Sequence, residues 1–184
     1  GYVGGLFPLV RYLRKNQKNY GVTAIPLGLN SASLPTIIAR ALENFEDNLF
    51  KKIKPKKVIF LGHSFGGRVA CILANELKNK HPDVIYEVVT LGSPVGGLRT
   101  GYLPWYKEFL FSWFSTAYKD GDLIIQPNPY NTKYIGYYSV NDKVVCPEFA
   151  KAEHKGTLIE LKGLSHDDLI KSEKIGVEIL ELLK

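Results

Sequence analysis

The chain of 184 residues has no methionine, two cysteines and two tryptophans. Cys71 and Cys146 are too few for a disulfide framework. No group of Cys and His has zinc-site spacing, so a structural zinc module is excluded. No apolar run is long enough to span a bilayer, and no signal peptide is visible. Neither an internal repeat nor a low-complexity linker divides the chain, which reads as one domain, 1–184, with a sizeable core. The absence of even an initiator methionine, with the abrupt opening GYVGG, leads us to expect residues upstream of Gly1.

What is present is an ordinary globular composition, 45% hydrophobic and 23% charged. The net charge of +6 fits a Lys-rich solvated surface as well as an anionic partner. No aromatic-interleaved basic patch or nucleic-acid motif accompanies it, so nucleic acid is not expected as a partner.

Apolar periodicity organises the chain. Helical patterns cover 4–17, 33–53 (with Ser33 as N-cap), 65–79 and 167–184. Between them lie the strand-like runs 21–27, 57–61, 84–91, 134–140 and 157–163. Near-continuous apolar strands alternating with helices predict an α/β fold, a mostly parallel sheet with helices on both faces. Residues 98–132 break the alternation with a long connection that carries both tryptophans. A connection of that length in a compact domain is usually functional or mobile.

Gly62-His63-Ser64-Phe65-Gly66 stands between a strand and a helix. G-x-S-x-G in that context describes a nucleophile elbow, a tight turn that holds the serine in a strained backbone conformation. Glycine is expected at 62 and 66 because side chains would clash there. The competing reading is a helix N-cap with coincidental glycines; strand, motif and helix in register favour the elbow. His63 is not expected to be the base, because a neighbour in so sharp a turn points away from the serine.

A serine hydroxyl needs a base, and the base needs an orienting group. In a parallel sheet, residues that follow strands share the carboxyl edge, and Ser64 follows one. His81 and His154 precede strands and fall at the opposite edge. His166 follows 157–163 and is the histidine at the correct edge. Asp83 precedes a strand, whereas Asp142 directly follows YIGYYSV. Asp167 and Asp168 suit the start of the last helix, and Asp120 and Asp122 stay open as outside candidates. The expected catalytic set is Ser64, Asp142 and His166.

That order of nucleophile, acid and histidine, with GYVGG, GHSFGG, LGSPVGG, SVNDKVV and GLSHDDL, resembles lipases and esterases of the α/β-hydrolase superfamily. The likeness runs over essentially the whole chain and is strongest to small, minimal bacterial triacylglycerol lipases. The resemblance implies a three-layer hydrolase fold with oxyanion-hole N–H groups from Tyr2 and Phe65. It also implies a central strand upstream of Gly1, between 21–27 and 57–61. Without that strand the sheet has a gap of roughly 10 Å, two strand spacings.

The aromatic segment 98–118 begins on the active-site side. It reads equally as a lid or acyl-pocket wall, with Trp105, Phe109 and Trp113 lining substrate, or as a core helix or dimer face. The basic run 51–57 falls at the opposite sheet edge, which argues against docking the site onto an anionic membrane. The expected function is serine-dependent hydrolysis of acyl or lipid esters through an acyl-enzyme, with no metal or organic cofactor. A small acyl ester or lipid is the expected partner, with transient contact at a lipid interface allowed. The alternatives are a thioesterase or amidase with the same residues, or a non-catalytic ligand-binding module. The sequence leaves localisation and oligomeric state open.

Overall fold

The computed structural model describes residues 6–16, 20–25, 33–95, 132–151 and 156–182. Four strands form one parallel sheet in the order β1 (Lys57–His63), β2 (Ile85–Leu91), β3 (Lys133–Tyr138) and β4 (Thr157–Glu160). Side chains alternate between the two faces of a strand, and both faces here are apolar. Phe60, Tyr86 and Val88 point to one core, whereas Val89, Leu91 and Tyr137 point to the other.

The first core is closed by α2 (Leu34–Phe45) and α3 (Phe65–Lys80), the second by α1 (Phe7–Asn16) and a C-terminal helix, Glu173–Leu182. Ile37, Ala41 and Phe45 supply the apolar face of α2. The Ser33 hydroxyl accepts from the Thr36 N–H at 3.4 Å and caps α2, as its sequence position predicts. Beyond Phe45 this helix passes through a π turn, Glu46–Phe50, and one more turn, Lys51–Ile53. Lys54 ends it in the left-handed region at φ 48°.

Several elements differ from the sequence expectation. Residues 21–25 carry no sheet ladder. Among the described residues β1 is the edge strand of the sheet, and a cleft of about 580 Å³, bounded by Val22, Ile25, Ile59, Leu13 and Leu73, runs along its outer side. β4 stops at Glu160 rather than 163, because Gly163 turns at φ +76° and its N–H donates to Asn141 Oδ1. A short helix, α4 (Pro147–Lys151), was not expected; Pro147 is its first residue, where a missing N–H costs nothing.

The helix expected over 167–184 is broken. A 3₁₀ turn, Leu169–Lys171, is followed by extended Ser172, and α5 then runs over Glu173–Leu182. Tyr2, His154, Asp120, Asp122, Trp105, Phe109, Trp113 and nearly all of the 98–132 connection lie outside the described residues.

Candidate active site

The pairing register brings the ends of the strands level. His63 stands beside Leu91, Leu91 beside Tyr137, and Tyr138 beside Glu160. The segments that leave these ends converge: Ser64 follows β1, Gly92 follows β2, Asp142 follows β3 and His166 follows β4. The sheet-edge argument made from the sequence is therefore met by the topology.

Ser64 occupies the first position before α3, yet its side chain makes no capping hydrogen bond. Its backbone sits at φ 53°, ψ −130°, whereas capping residues take up extended angles. A non-glycine residue at positive φ is strained, and such strain gathers at functional sites. Two bonds hold the turn: the Ser64 N–H donates to Leu91 O at 2.9 Å, and the Gly67 N–H donates to Ser64 O at 3.0 Å. The Phe65 N–H lies in the first turn of α3, where backbone donors have no intrahelical acceptor. The Phe65 side chain is buried against the first core.

The steric argument for glycine holds at one expected position and moves at the other. A Cβ on Gly62 would collide with Gly66 O and stand 2.5 Å from both Gly66 C and Gly67 Cα. At Gly66, by contrast, a Cβ would meet nothing within 4 Å among the described residues, because Gly66 faces the cleft. The second tight contact belongs to Gly67, whose Cβ would collide with Ser93 Oγ and lie 2.5 Å from Ser93 Cβ. The Ser93 hydroxyl is directed to Leu91 O at 3.2 Å, on the same carbonyl that receives Ser64 N–H.

Asp142 is buried, and each of its oxygens is engaged. Oδ1 accepts the N–H groups of Val144 (2.8 Å) and Val145 (2.9 Å), while Oδ2 receives His166 Nδ1 at 2.7 Å. Burial works against its charge. The hydrogen bonds from His166, Val145 and Val144, with the charge of His166, outweigh burial and hold the carboxyl below its usual range. An ionised carboxylate only accepts, so Nδ1 carries the proton and the Nε2 lone pair of His166 is left to act as a base.

The loop carrying His166 is braced locally. Ser165 Oγ and N–H both bond to Asp168 Oδ2, at 2.5 and 3.3 Å, and the Asp168 N–H returns to Ser165 O at 3.1 Å. Leu169 and Ile170 anchor the next turn in the second core. The opposite edge carries the other described histidine set aside by the sequence: His81 Nε2 meets Glu46 Oε1 at 2.9 Å and stacks on Phe50 at 3.6 Å. The Cys71 thiol is pushed up to about 12 by burial and offers no nucleophile.

Sequence reasoning missed Gly67, Gly92 and Ser93 as parts of the site, although LGSPVGG marked the last two. Gly92 turns at φ +49°, and a Cβ there would enter the space beside Asp142 and His166. It also missed that His63 reaches His166: His63 Nε2 lies 3.0 Å from His166 O.

The fold recurs in solved structures of other hydrolases and beyond them. The esterase domain of a Rhodothermus marinus protein aligns with a TM-score of 0.59 at 17% identity, over 98% of this chain and 77% of that one. The lipase BlEst2 of Bacillus licheniformis aligns at 0.54 and 16%, over 80% and 73%. Methylketone synthase I of tomato aligns at 0.61 and 14%, over 99% and 92%. Such distant likenesses establish the architecture and not the substrate. No curated protein matches the chain. The family model described as lipase (class 3) matches residues 10–119, a span that holds β1, the elbow and β2. The chain belongs to the class 3 lipase family and has the α/β-hydrolase fold.

Proposed function

We propose that the protein hydrolyses carboxylic esters of acyl or lipid substrates through a Ser64 acyl-enzyme. The observation that carries this reading is the 2.7 Å Asp142–His166 pair at the same sheet edge as an uncapped serine at positive φ. His166 Nε2 takes the Ser64 hydroxyl proton as Oγ attacks the ester carbonyl. Asp142 keeps the Nδ1–H tautomer and stabilises the imidazolium that results. The Phe65 N–H, aided by the α3 dipole, and the Tyr2 N–H receive the developing oxyanion. His166 then returns the proton to the leaving alkoxide. Water repeats the attack, gives its proton to His166, and the acid departs as Ser64 recovers its hydrogen.

The test is hydrolysis of p-nitrophenyl esters of graded acyl length by wild type and Ser64→Ala. Loss of roughly 10⁴-fold or more in kcat is expected for the variant. Unchanged turnover would overturn the mechanism. A short-chain optimum assigns an esterase, and a long-chain optimum with activation at an interface assigns a lipase. Faster turnover of acyl thioesters or anilides than of oxygen esters would overturn the substrate class and leave the residues in place.

A further inference from the structure

His63 adjoins the elbow serine, and its side chain turns to the base rather than to the serine. Its Nε2 lies 3.0 Å from the backbone carbonyl of His166, and the two imidazole rings pack at 4.4 Å, tilted by 41°. A carbonyl oxygen only accepts, so His63 Nε2 carries the proton of this bond. The contact joins the end of β1 to the loop after β4, residues 103 positions apart.

We propose that His63 is a positioning residue for His166, fixing its backbone through the Nε2–H bond and its ring through face contact. This rests on the reading of His166 as the base. Asp142 holds the ring through Nδ1 and does not touch the loop backbone; the His63 bond adds a tie at the His166 carbonyl itself. The braces of the loop itself tie Ser165 to Asp168 across His166 and do not engage the His166 carbonyl.

Histidine meets requirements that other side chains meet only in part. It supplies a flat ring for the packing and a donor at the reach of Nε2. It also remains uncharged at working pH: burial, then the neighbouring His166, lowers its pKa from 6.5 to about 4. The carbonyl bond, Asp167 and Asp142 oppose that shift without reversing it. A positively charged side chain at 63 would set a like charge against the imidazolium formed at His166 during acyl transfer.

The experiment compares His63→Leu, His63→Gln and His63→Asn with wild type on p-nitrophenyl butyrate. Rates are taken per active serine, counted by covalent phosphonylation, so that misfolded protein does not enter. Glutamine places an N–H as far along its side chain as His63 Nε2, leucine has the bulk without the donor, and asparagine falls one carbon short. We expect kcat of the Leu and Asn variants to fall roughly tenfold, as for loss of one oriented hydrogen bond, with KM changed by less than about twofold. Glutamine should restore most of kcat.

Equal kcat per site in all four proteins would overturn the proposal. A Gln variant as slow as Asn would do the same, because a ring that only fills space is not rescued or lost by a donor. Should the Leu variant fail to fold, the Gln–Asn comparison decides. Ser64→Ala retaining activity would instead strike the parent reading, a separate outcome from silent His63 variants in a Ser64-dependent enzyme.

Discussion

Gly92 and Asp142 stand so close that a Cβ on Gly92 would lie 2.9 Å from the Asp142 carboxylate Oδ2. The same Cβ would be 3.2 Å from His166 Nδ1 and 2.7 Å from Leu169 Cδ1. The Leu169 methyl can move aside, but the two polar atoms are the partners of the 2.7 Å bond itself. The Gly92 N–H, meanwhile, is pinned to Tyr137 O at 2.8 Å, so the backbone has little room to retreat.

Gly92→Ala is therefore expected to reduce kcat about 10- to 100-fold through displacement of the Asp142–His166 pair, with KM little altered. The positive φ adds a stability cost of about 1–2 kcal/mol. Steady-state kinetics with chemical denaturation reads both, and a variant with wild-type kcat would contradict this account of the glycine.

The glycines of the elbow should separate by position. Gly62→Ala sets a methyl against backbone atoms of Gly66 and Gly67, which cannot rotate away as a side-chain tip can. A loss of about 3 kcal/mol or more is expected, with little soluble enzyme. Gly66→Ala points a methyl into the cleft, where it would meet nothing within 4 Å among the described residues, and should fold with near-native stability. Thermal unfolding of the two variants side by side is decisive, and a Gly66 variant as damaged as the Gly62 one would refute the ordering.

Acid should weaken the fold before ordinary carboxylates titrate. His63 has a folded pKa of about 4 against 6.5, mainly through burial, so the unfolded chain binds the extra proton in that window. Stability is then full above pH 6.5 and is lost progressively as pH falls to about 4. The drop is of the order of 2–3 kcal/mol. Urea unfolding across this range should slope for wild type and flatten for His63→Gln. Parallel slopes in the two proteins would locate the effect elsewhere.

The parts of the site that were legible in the sequence are those governed by local pattern. Apolar runs and their order placed Ser64, Asp142 and His166 at one sheet edge, and His81 at the other, because strand direction alone fixes which loops meet. The helix cap at Ser33 was equally local. The contacts of His63 with His166, of Gly67 with Ser93, and of Gly92 with Asp142 join segments far apart in the chain. Nothing in the neighbourhood of each residue encodes them, apart from glycines whose reason is visible only in three dimensions. The same limit explains the last helix: its apolar period continues through Ser172, but the Ser165–Asp168 turn and the burial of Leu169 and Ile170 bend the chain out of one continuous rod. Residues 21–25 have strand composition, and composition cannot supply the paired neighbour that a ladder requires.

Asp142→Asn separates the two duties of that carboxylate. The amide oxygen can still accept from the Val144 and Val145 N–H groups, so the turn after β3 is retained. Its NH2 then faces His166 Nδ1 as a donor, which disfavours the Nδ1–H tautomer that leaves Nε2 free to act as base. A fall of roughly 10³–10⁴-fold in kcat is expected with a folded protein. The stability difference carries its own pH signature. The folded carboxyl titrates below 3.8, so its contribution is present above that value and disappears as pH falls through the lower folded pKa. Wild type should therefore exceed the Asn variant in stability at neutral pH and converge with it in strong acid. Denaturant midpoints measured from neutrality downward test this, and a gap that stays constant into strong acid would show that Asp142 stabilises the fold through something other than its charge.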